Sequence, residues 1–183
     1  MNGDRYEDER PPRPARTAAV IGVGNECRRD DGVGWAVVRR MEERATRRAL
    51  PPGTLLALSD GEPSGLIDRW EGTGLTVVVD AVHTDPAVPG RVHRLDAAEV
   101  ELYGPGPVTS HGLGFGQAAE LAAVLGRLPS RLRVYAVETA DTSLGPGLTA
   151  AVEAAVAPLA ERIEDEIRRF HQEAPGGPVS HRA

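Results

Sequence analysis

Lysine is absent from this chain of 183 residues, and all 21 of its basic residues are arginines. Catalysis through a Schiff base needs a lysine amine, and the phosphate loop of P-loop nucleotide hydrolases needs a lysine beside its glycines. Neither kind of site can therefore be built from this sequence.

Cysteine is nearly absent, because Cys27 is the only one in the chain. A single cysteine cannot form a disulfide within the chain, and without a CxxC partner it does not mark a structural zinc site. A cysteine nucleophile needs a base beside it, and no residue pattern identifies one. We therefore interpret Cys27 as an ordinary loop or core thiol.

Long apolar runs are also missing, since no stretch approaches the roughly 18 residues of a membrane-spanning helix. The N-terminal residues 1–16 are polar and lack the apolar core of a signal peptide. The net charge of −6 gives no electrostatic reason to bind nucleic acid or an anionic membrane. We expect a cytoplasmic monomer that acts on a small molecule or on another protein.

The length of the chain fits one domain with short tails. Residues 1–16 and 171–183 combine charge and proline without apolar periodicity, so they cannot bury enough surface to offset their chain entropy. We predict one domain over residues 17–170 between a flexible N-terminal extension and a flexible C-terminal tail.

Within that domain, short apolar runs alternate with amphipathic segments. Strands are predicted at 18–23, 54–59, 75–82 and 131–137, with 90–96 as a candidate antiparallel strand. Helices are predicted at 31–49, 63–71, 113–128 and 146–170. Continuous apolar strands such as TVVVDAV suit a sheet that is covered on both faces. The pattern predicts an α/β three-layer sandwich with a mostly parallel, Rossmann-like twisted sheet.

Aspartates stand at the ends of three predicted strands: Asp30 and Asp31 after the first, Asp60 after the second, and Asp80 at the end of the third. Each has a structural explanation as a helix cap, a partner of the helix dipole or a turn residue, which is favoured for Asp30. Carboxylates gathered at one sheet edge repel one another, however, unless a cation, a proton or a ligand compensates. A metal ion is the simplest compensation.

The segment VIGVGNECRRDD (20–31) has the glycines of a dinucleotide-binding turn. The fingerprint G-x-G-x-x-G needs its third glycine for close packing of the helix, and Cys27 stands at that position. A pyrophosphate would also meet two carboxylates where the helix begins. The sequence therefore argues against nucleotide binding here.

Histidine is a common partner of carboxylates in metal sites, and the chain has five: His83, His93, His111, His171 and His181. His111 follows the Gly/Pro-rich loop YGPGPVTSHG, which is long enough to fold over the strand ends. A helix-capping or surface role for His111 stays open on spacing alone. His83 is nearer to Asp80 in sequence, but an exposed loop is its more ordinary setting. Oxygen ligands with one imidazole suit several divalent metals.

Five ordered segments together resemble the hydrogenase maturation protease family: GVGNECRRDDGVG, SDGEPSGLID, VVVDAV, SHGLGF and GLTAAVEAAV. The resemblance covers about residues 18–167, and its specificity lies in the order and spacing of the set. It implies an endopeptidase that trims a C-terminal extension from the large-subunit precursor of a nickel-iron hydrogenase after nickel insertion. The implied partner is that nickel-loaded precursor.

The resemblance also implies roles for individual residues. The two acids and the histidine that contact metal in the family fall on Asp31, Asp80 and His111, and the aspartate of its DG motif falls on Asp60. We expect Asp31 and Asp80 to be ligands and candidate bases, His111 a ligand, and Asp60 an orienting or acid–base residue. The implied metal is the nickel of the substrate, and no permanently bound cofactor is expected.

Two routes to peptide cleavage remain open, a water activated by a carboxylate and a water activated by the metal. The sequence departs from the commoner family pattern at Asp31, where glutamate also occurs, and at Glu62, where a second glycine is frequent. Arg28 and Arg29 either contact the tail of the precursor or solvate their loop, and we favour the second interpretation. The alternatives to a protease are a non-catalytic chaperone that binds metal or precursor on the same fold, and a small-molecule binder at the Gly22–Gly24 turn.

Overall fold

The computed structural model of the protein describes residues 17–96 and 114–173. Within these ranges the strands are β1 (Ala18–Val23), β2 (Thr54–Ser59), β3 (Leu75–Val82), β4 (Val92–Asp96) and β5 (Leu132–Glu138). The helices are α1 (Val33–Ala45), α2 (Pro63–Trp70), α3 (Gly114–Val124) and α4 (Ala150–Gln172), and a short 3-10 helix at Arg29–Gly32 precedes α1. Helices thus alternate with strands along most of the chain.

The strands form one sheet in the order β2-β1-β3-β5-β4. Neighbouring strands are parallel except for β4, which runs antiparallel to β5 at the edge. The predicted mostly parallel sheet and the antiparallel interpretation of residues 90–96 are both confirmed. Every residue of β1 and β3 is buried, because helices cover both faces of the sheet at its centre.

Alternation along each strand sends successive side chains into two separate cores. On one face, Val20, Val77 and Val137 pack with residues of α1 and α4, among them Met41 and Ile163. On the other face, the core contains Ile21, Val78 and Val134 of the sheet, Trp70 of α2 and Phe115 of α3. The molecule is therefore the predicted three-layer sandwich.

The helices are shorter at several ends than the sequence predicts. Helix α1 ends at Ala45 rather than at residue 49, because the Thr46 hydroxyl donates to the Glu43 carbonyl at 2.7 Å and occupies it. Helix α3 ends at Val124, and Gly126 follows with a φ of +65° that closes the helix end. No helix in the part of the chain that the structure describes is long and apolar enough to cross a membrane.

The C-terminal boundary of the domain also differs from the prediction. Helix α4 continues through Gln172, so the expected tail from residue 171 begins too early. The ring of His171 lies edge-on to Phe170 at 5.3 Å, and its Nδ1 is 2.9 Å from the Ile167 carbonyl oxygen. These contacts stabilise the last turn of α4, which lies beyond the apolar pattern of the sequence. Residues 1–16 and 174–183 lie outside the described residues.

Candidate functional site

The candidate site lies where the chain leaves two neighbouring strands in opposite directions along the sheet, since β1 leads to β2 on one side and β3 leads to β4 on the other. Strand β1 leads into α1 on one face, whereas α2 and α3 cover the other face. The connections therefore diverge at the carboxyl ends of β1 and β3, the position at which parallel α/β sheets bind ligands. Asp31 follows β1 and Asp80 lies near the end of β3, so the fold brings together two of the three predicted catalytic aspartates.

The turn that carries Asp31 has glycines at positions where two backbone segments lie in close contact. A Cβ on Gly24 would lie 2.0 Å from the Asp31 carbonyl oxygen, and Gly24 also has a φ of +150° that favours glycine. A Cβ on Gly34 would lie 2.3 Å from the Val23 oxygen and 2.5 Å from the Val79 oxygen. These glycines thus let the start of α1 sit directly on β1 and β3. Since Gly24 packs against the chain's own backbone, it offers no phosphate cradle.

The carboxyl group of Asp80 is buried, and burial disfavours its ionised form. It is 1% exposed, and its Oδ1 accepts the Ala81 N–H at 2.8 Å. Its Oδ2 has no hydrogen-bond partner among the described residues. Burial raises the pKa of Asp80 to about 7, the Ala81 N–H opposes that rise, and the nearby charge of Asp31 adds to it. Asp31 is itself 1% exposed, so two carboxyls share a site with little water.

Asp30 has a structural role that differs from the predicted helix cap. Its side chain is fully buried and accepts four hydrogen bonds from the loop between β5 and α4. The donors are the backbone N–H groups of Ala140, Asp141 and Thr149, at 2.9, 3.0 and 2.6 Å, and the Thr149 hydroxyl at 2.9 Å. Asp30 therefore fastens that loop to the turn that carries Asp31.

Arg29 reinforces the same connection. Its N–H donates to the Gly145 oxygen at 2.9 Å, and the Gly145 N–H donates to the Cys27 oxygen at 2.9 Å. The Arg29 Nε lies 3.3 Å from a carboxylate oxygen of Asp141, so this arginine does more than solvate its loop. Its φ of +46°, unusual for a residue with a side chain, is held by these contacts.

Asp60 is not part of the buried pair. It follows β2, which lies on the far side of β1 from β3, and its side chain is exposed. Its Oδ1 accepts the Glu62 N–H at 3.2 Å, as the turn interpretation predicts. Glu62 in turn caps α2, accepting the N–H groups of Ser64 and Gly65 at 3.1 and 2.8 Å. The Ser64 hydroxyl, which donates to the same carboxylate at 2.6 Å, lowers the pKa of Glu62 most, and the two N–H groups lower it further. Glu62 therefore acts as a helix cap at a position where the family often has glycine.

The predicted third metal ligand, His111, lies outside the described residues. The described ranges contain no group of three histidine, cysteine, aspartate or glutamate residues that could hold a metal ion. From these ranges, the site has two carboxylates to offer a cation. Cys27 is exposed, in agreement with an ordinary loop thiol.

The sequence prediction overlooked Glu138, an acid at the end of a fourth strand on the same sheet edge. Glu138 is the last residue of β5 and is 2% exposed. It accepts hydrogen bonds from the Val88 N–H and from the His93 ring, and these bonds lower its pKa to about 2. The strand-end rule that singled out Asp80 applies equally to the final residue of RVYAVE.

A shallow groove of about 540 Å³ adjoins the turn that carries Asp31. Trp35 and Leu148 give it apolar walls, and Cys27 and Arg39 lie at its rim. The Trp35 Nε1 donates to the Ser59 carbonyl oxygen at 2.9 Å, which connects the groove to the end of β2 and to Asp60. The surface around the site can therefore contact a polypeptide as well as a small ligand.

Known proteins with the same features identify the family. A family model described as hydrogenase maturation protease matches residues 40–166. The chain is 26% identical over 157 residues to the hydrogenase 2 maturation protease of Escherichia coli (strain K12), covering 85% of this chain and 93% of that protein. It is 30% identical over 155 residues to the hydrogenase expression/formation protein HupD of Thiocapsa roseopersicina, covering 82% and 67%.

Solved structures show the same fold. The hydrogenase maturating endopeptidase HybD from E. coli superposes with a TM-score of 0.73 at 23% identity, covering 84% of this chain and 93% of that one. The [NiFe] hydrogenase maturation protease HybD from Thermococcus kodakarensis gives 0.66 at 22% identity, with 82% and 99% covered. From the match to the family model, supported by these relatives and this fold, the chain belongs to the hydrogenase maturation protease family.

Proposed function

We propose that this protein is the endopeptidase that removes the C-terminal extension of a nickel-iron hydrogenase large-subunit precursor, and that it recognises the nickel already bound to that precursor. The observation that carries the proposal is the buried pair of Asp31 and Asp80 at the switch point of the sheet. A protease family supplies the reaction class, and the two carboxyls supply a place for a cation.

The electrostatics of the pair support the proposed recognition of nickel. Without a cation, the charge of Asp31 and the loss of water both favour protonation of Asp80. A bound divalent ion would supply the missing positive charge and a partner for the Asp80 Oδ2. Carboxylates alone do not select nickel from other divalent ions, so selectivity comes from the precursor that delivers the metal. His111 is proposed to add an imidazole ligand.

This arrangement makes metal insertion a checkpoint for cleavage. A precursor without nickel brings no charge to offset the repulsion between Asp31 and Asp80, so it binds less well than the loaded form. The difference in affinity equals the coupling free energy between metal and precursor. The exposed Asp60 and the groove beside Trp35 are proposed to contact the precursor polypeptide around the scissile bond.

Cleavage needs a water that attacks the peptide carbonyl. We assign the activation of that water to the pair of Asp31 and Asp80 together with the nickel of the substrate, either carboxylate accepting the proton. Asp60 is proposed to orient the peptide rather than to exchange a proton, because it is exposed and held in a turn.

The proposal is tested with purified protein and two forms of the precursor, nickel-loaded and nickel-free. We expect the wild type to release a C-terminal peptide, measured by mass spectrometry, from the loaded form alone. Asp31→Ala, Asp80→Ala and His111→Ala should keep the fold, checked by circular dichroism, and leave the precursor uncut. Asp165→Asn is the matched control, since it neutralises an exposed carboxylate on α4 that does not line the groove and should cut normally.

Three outcomes would contradict this proposal in different ways. Normal trimming by all three alanine variants would remove the assigned site. Equal cleavage of the loaded and nickel-free precursors would remove nickel recognition while leaving the protease in place. Binding of the loaded precursor without peptide release in prolonged incubation would instead establish the non-catalytic chaperone.

A further inference from the structure

A second polar cluster lies on the same edge of the sheet as the carboxylate pair. It consists of Glu138 at the end of β5, His93 of β4 and Arg91 just before β4. The His93 Nε2 is 2.7 Å from the Glu138 Oε1, and the Arg91 Nη1 is 3.6 Å from the same oxygen. None of these side chains is used by the proposed site.

The strand register places this cluster beside Asp80. Asp80 of β3 pairs with Ala136 of β5, and Ala136 pairs with His93 of β4, so the three residues form one row across the sheet. Residues in one row point to the same face, and two strand spacings separate Asp80 from His93 by about 10 Å between Cα atoms. The side chain between them is only a methyl group. No larger side chain therefore separates Asp80 from His93 along this row.

The two hydrophobic cores show on which face of the sheet Asp80 and His93 lie. Val78, two residues before Asp80, packs in the core beneath α2 and α3, and so does Val134, two residues before Ala136. Leu95, two residues after His93, packs against the same core. Because side chains two residues apart share a face, Asp80 and His93 both lie on this side.

The hydrogen bond to Glu138 determines which nitrogen of His93 is available. The low pKa of Glu138 keeps its carboxylate ionised, and an ionised carboxylate can only accept. The Nε2 of His93 must therefore carry a hydrogen and donate it. The other ring nitrogen, Nδ1, is left for a substrate, and the His93 side chain is 41% exposed. An imidazole oriented by a carboxylate in this way is a common acid–base catalyst.

We propose that His93, oriented by Glu138, is the catalytic residue that protonates the leaving amine during precursor cleavage. This inference rests on the proposed function. The water oxygen forms a bond to the carbonyl carbon as its proton passes to a carboxylate of the Asp31 and Asp80 pair. The C–N bond then breaks with its electron pair on nitrogen, and His93, protonated on both ring nitrogens, gives that nitrogen the proton on Nδ1 while Nε2 keeps the one it donates to Glu138. Solvent afterwards reprotonates His93 and takes the proton from the carboxylate.

The competing explanation is that the pair only pins β4 and the loop before it. Glu138 does hold that loop, through its side chain to the Val88 N–H and through its backbone oxygen to the Gly90 N–H at 2.8 Å. A pinning role needs a donor at position 93 but no proton transfer. His93→Gln separates the two roles, because its amide can donate to Glu138 but cannot act as an acid.

The experiment measures release of the C-terminal peptide from the nickel-loaded precursor. We expect His93→Gln to keep the wild-type Tm and KM while kcat falls by about 100-fold or more, the usual contribution of a general acid. His93→Ala should lose activity similarly and recover part of it when imidazole is added. His83→Gln is the matched control, since it makes the same change on an exposed histidine at the end of β3 and should cut normally.

The outcomes separate this inference from the proposed function. If the wild type cuts and His93→Gln keeps kcat within about threefold, His93 is not the proton donor and the protease assignment stands. A slow His93→Gln with a lowered Tm, together with no imidazole rescue of His93→Ala, would make the pair structural and overturn the inference. If the wild type itself releases no peptide, the proposed function fails first and the inference fails with it.

Discussion

Replacing the buried Asp80 carboxyl by an amide should stabilise the protein at alkaline pH and abolish its function. In the unfolded chain the Asp80 pKa is near 3.8, whereas burial in the folded protein raises the pKa to about 7. Between these values the folded state holds a proton that the unfolded state has released. The contribution of Asp80 to the free energy of unfolding therefore falls as pH rises through this window, and it is constant above it.

The magnitude follows from the two pKa values. Integration gives a destabilisation from Asp80 of about 4 kcal/mol at pH 8 and about 2 kcal/mol at pH 5. Asparagine does not titrate, so Asp80→Asn removes this pH dependence while its carbonyl still accepts the Ala81 N–H. Its buried amide costs about 1–3 kcal/mol at either pH. The stability of Asp80→Asn relative to wild type should therefore rise by about 2–3 kcal/mol from pH 5 to pH 8.

Urea unfolding followed by tryptophan fluorescence measures this difference, because Trp70 is fully buried in the core. Asp60→Asn is the control, since its carboxylate is exposed and its relative stability should change little between the two pH values. An Asp80→Asn effect that is the same at pH 5 and pH 8 would refute the reasoning. It would mean that the folded protein does not hold the Asp80 proton above the unfolded pKa.

Three further substitutions test how the site is supported. Asp30→Asn should lower the free energy of unfolding in urea by about 3 kcal/mol, since it weakens four buried hydrogen bonds to the β5–α4 loop. A variant as stable as the wild type would show that the loop does not depend on these hydrogen bonds. Gly34→Ala should lower the Tm and precursor cleavage together, because its Cβ would collide with the Val23 and Val79 oxygens. Glu62→Ala should lower the Tm far less than Asp30→Asn and leave cleavage unchanged, as expected of an exposed helix cap; loss of cleavage at full stability would place Glu62 in the site.

Much of the fold was predictable because its signals are local. The run LTVVVDAV is apolar along its whole length, and only a strand at the centre of a covered sheet buries all of it. Helix ends were less predictable, since they depend on single hydrogen bonds such as that of Thr46. The buried position of Asp80 followed from the rule that strand ends meet at one edge. The hydrogen-bond partners of Asp30 lie more than 100 residues away in the chain, and no local sequence pattern predicts them.

The sequence by itself determined the alternation of strands and helices, the acids at the strand ends, and the resemblance to a protease family. Each of these depends on residue type and on spacing along the chain. Only the tertiary structure shows which groups surround each acid. Asp30 and Asp31 are adjacent and chemically identical. Asp30 nevertheless accepts four hydrogen bonds from the β5–α4 loop, whereas Asp31 lies near Asp80. The same strand register that sets Asp80 in this pair also sets His93 beside it, because pairing across a sheet joins residues that are distant in sequence.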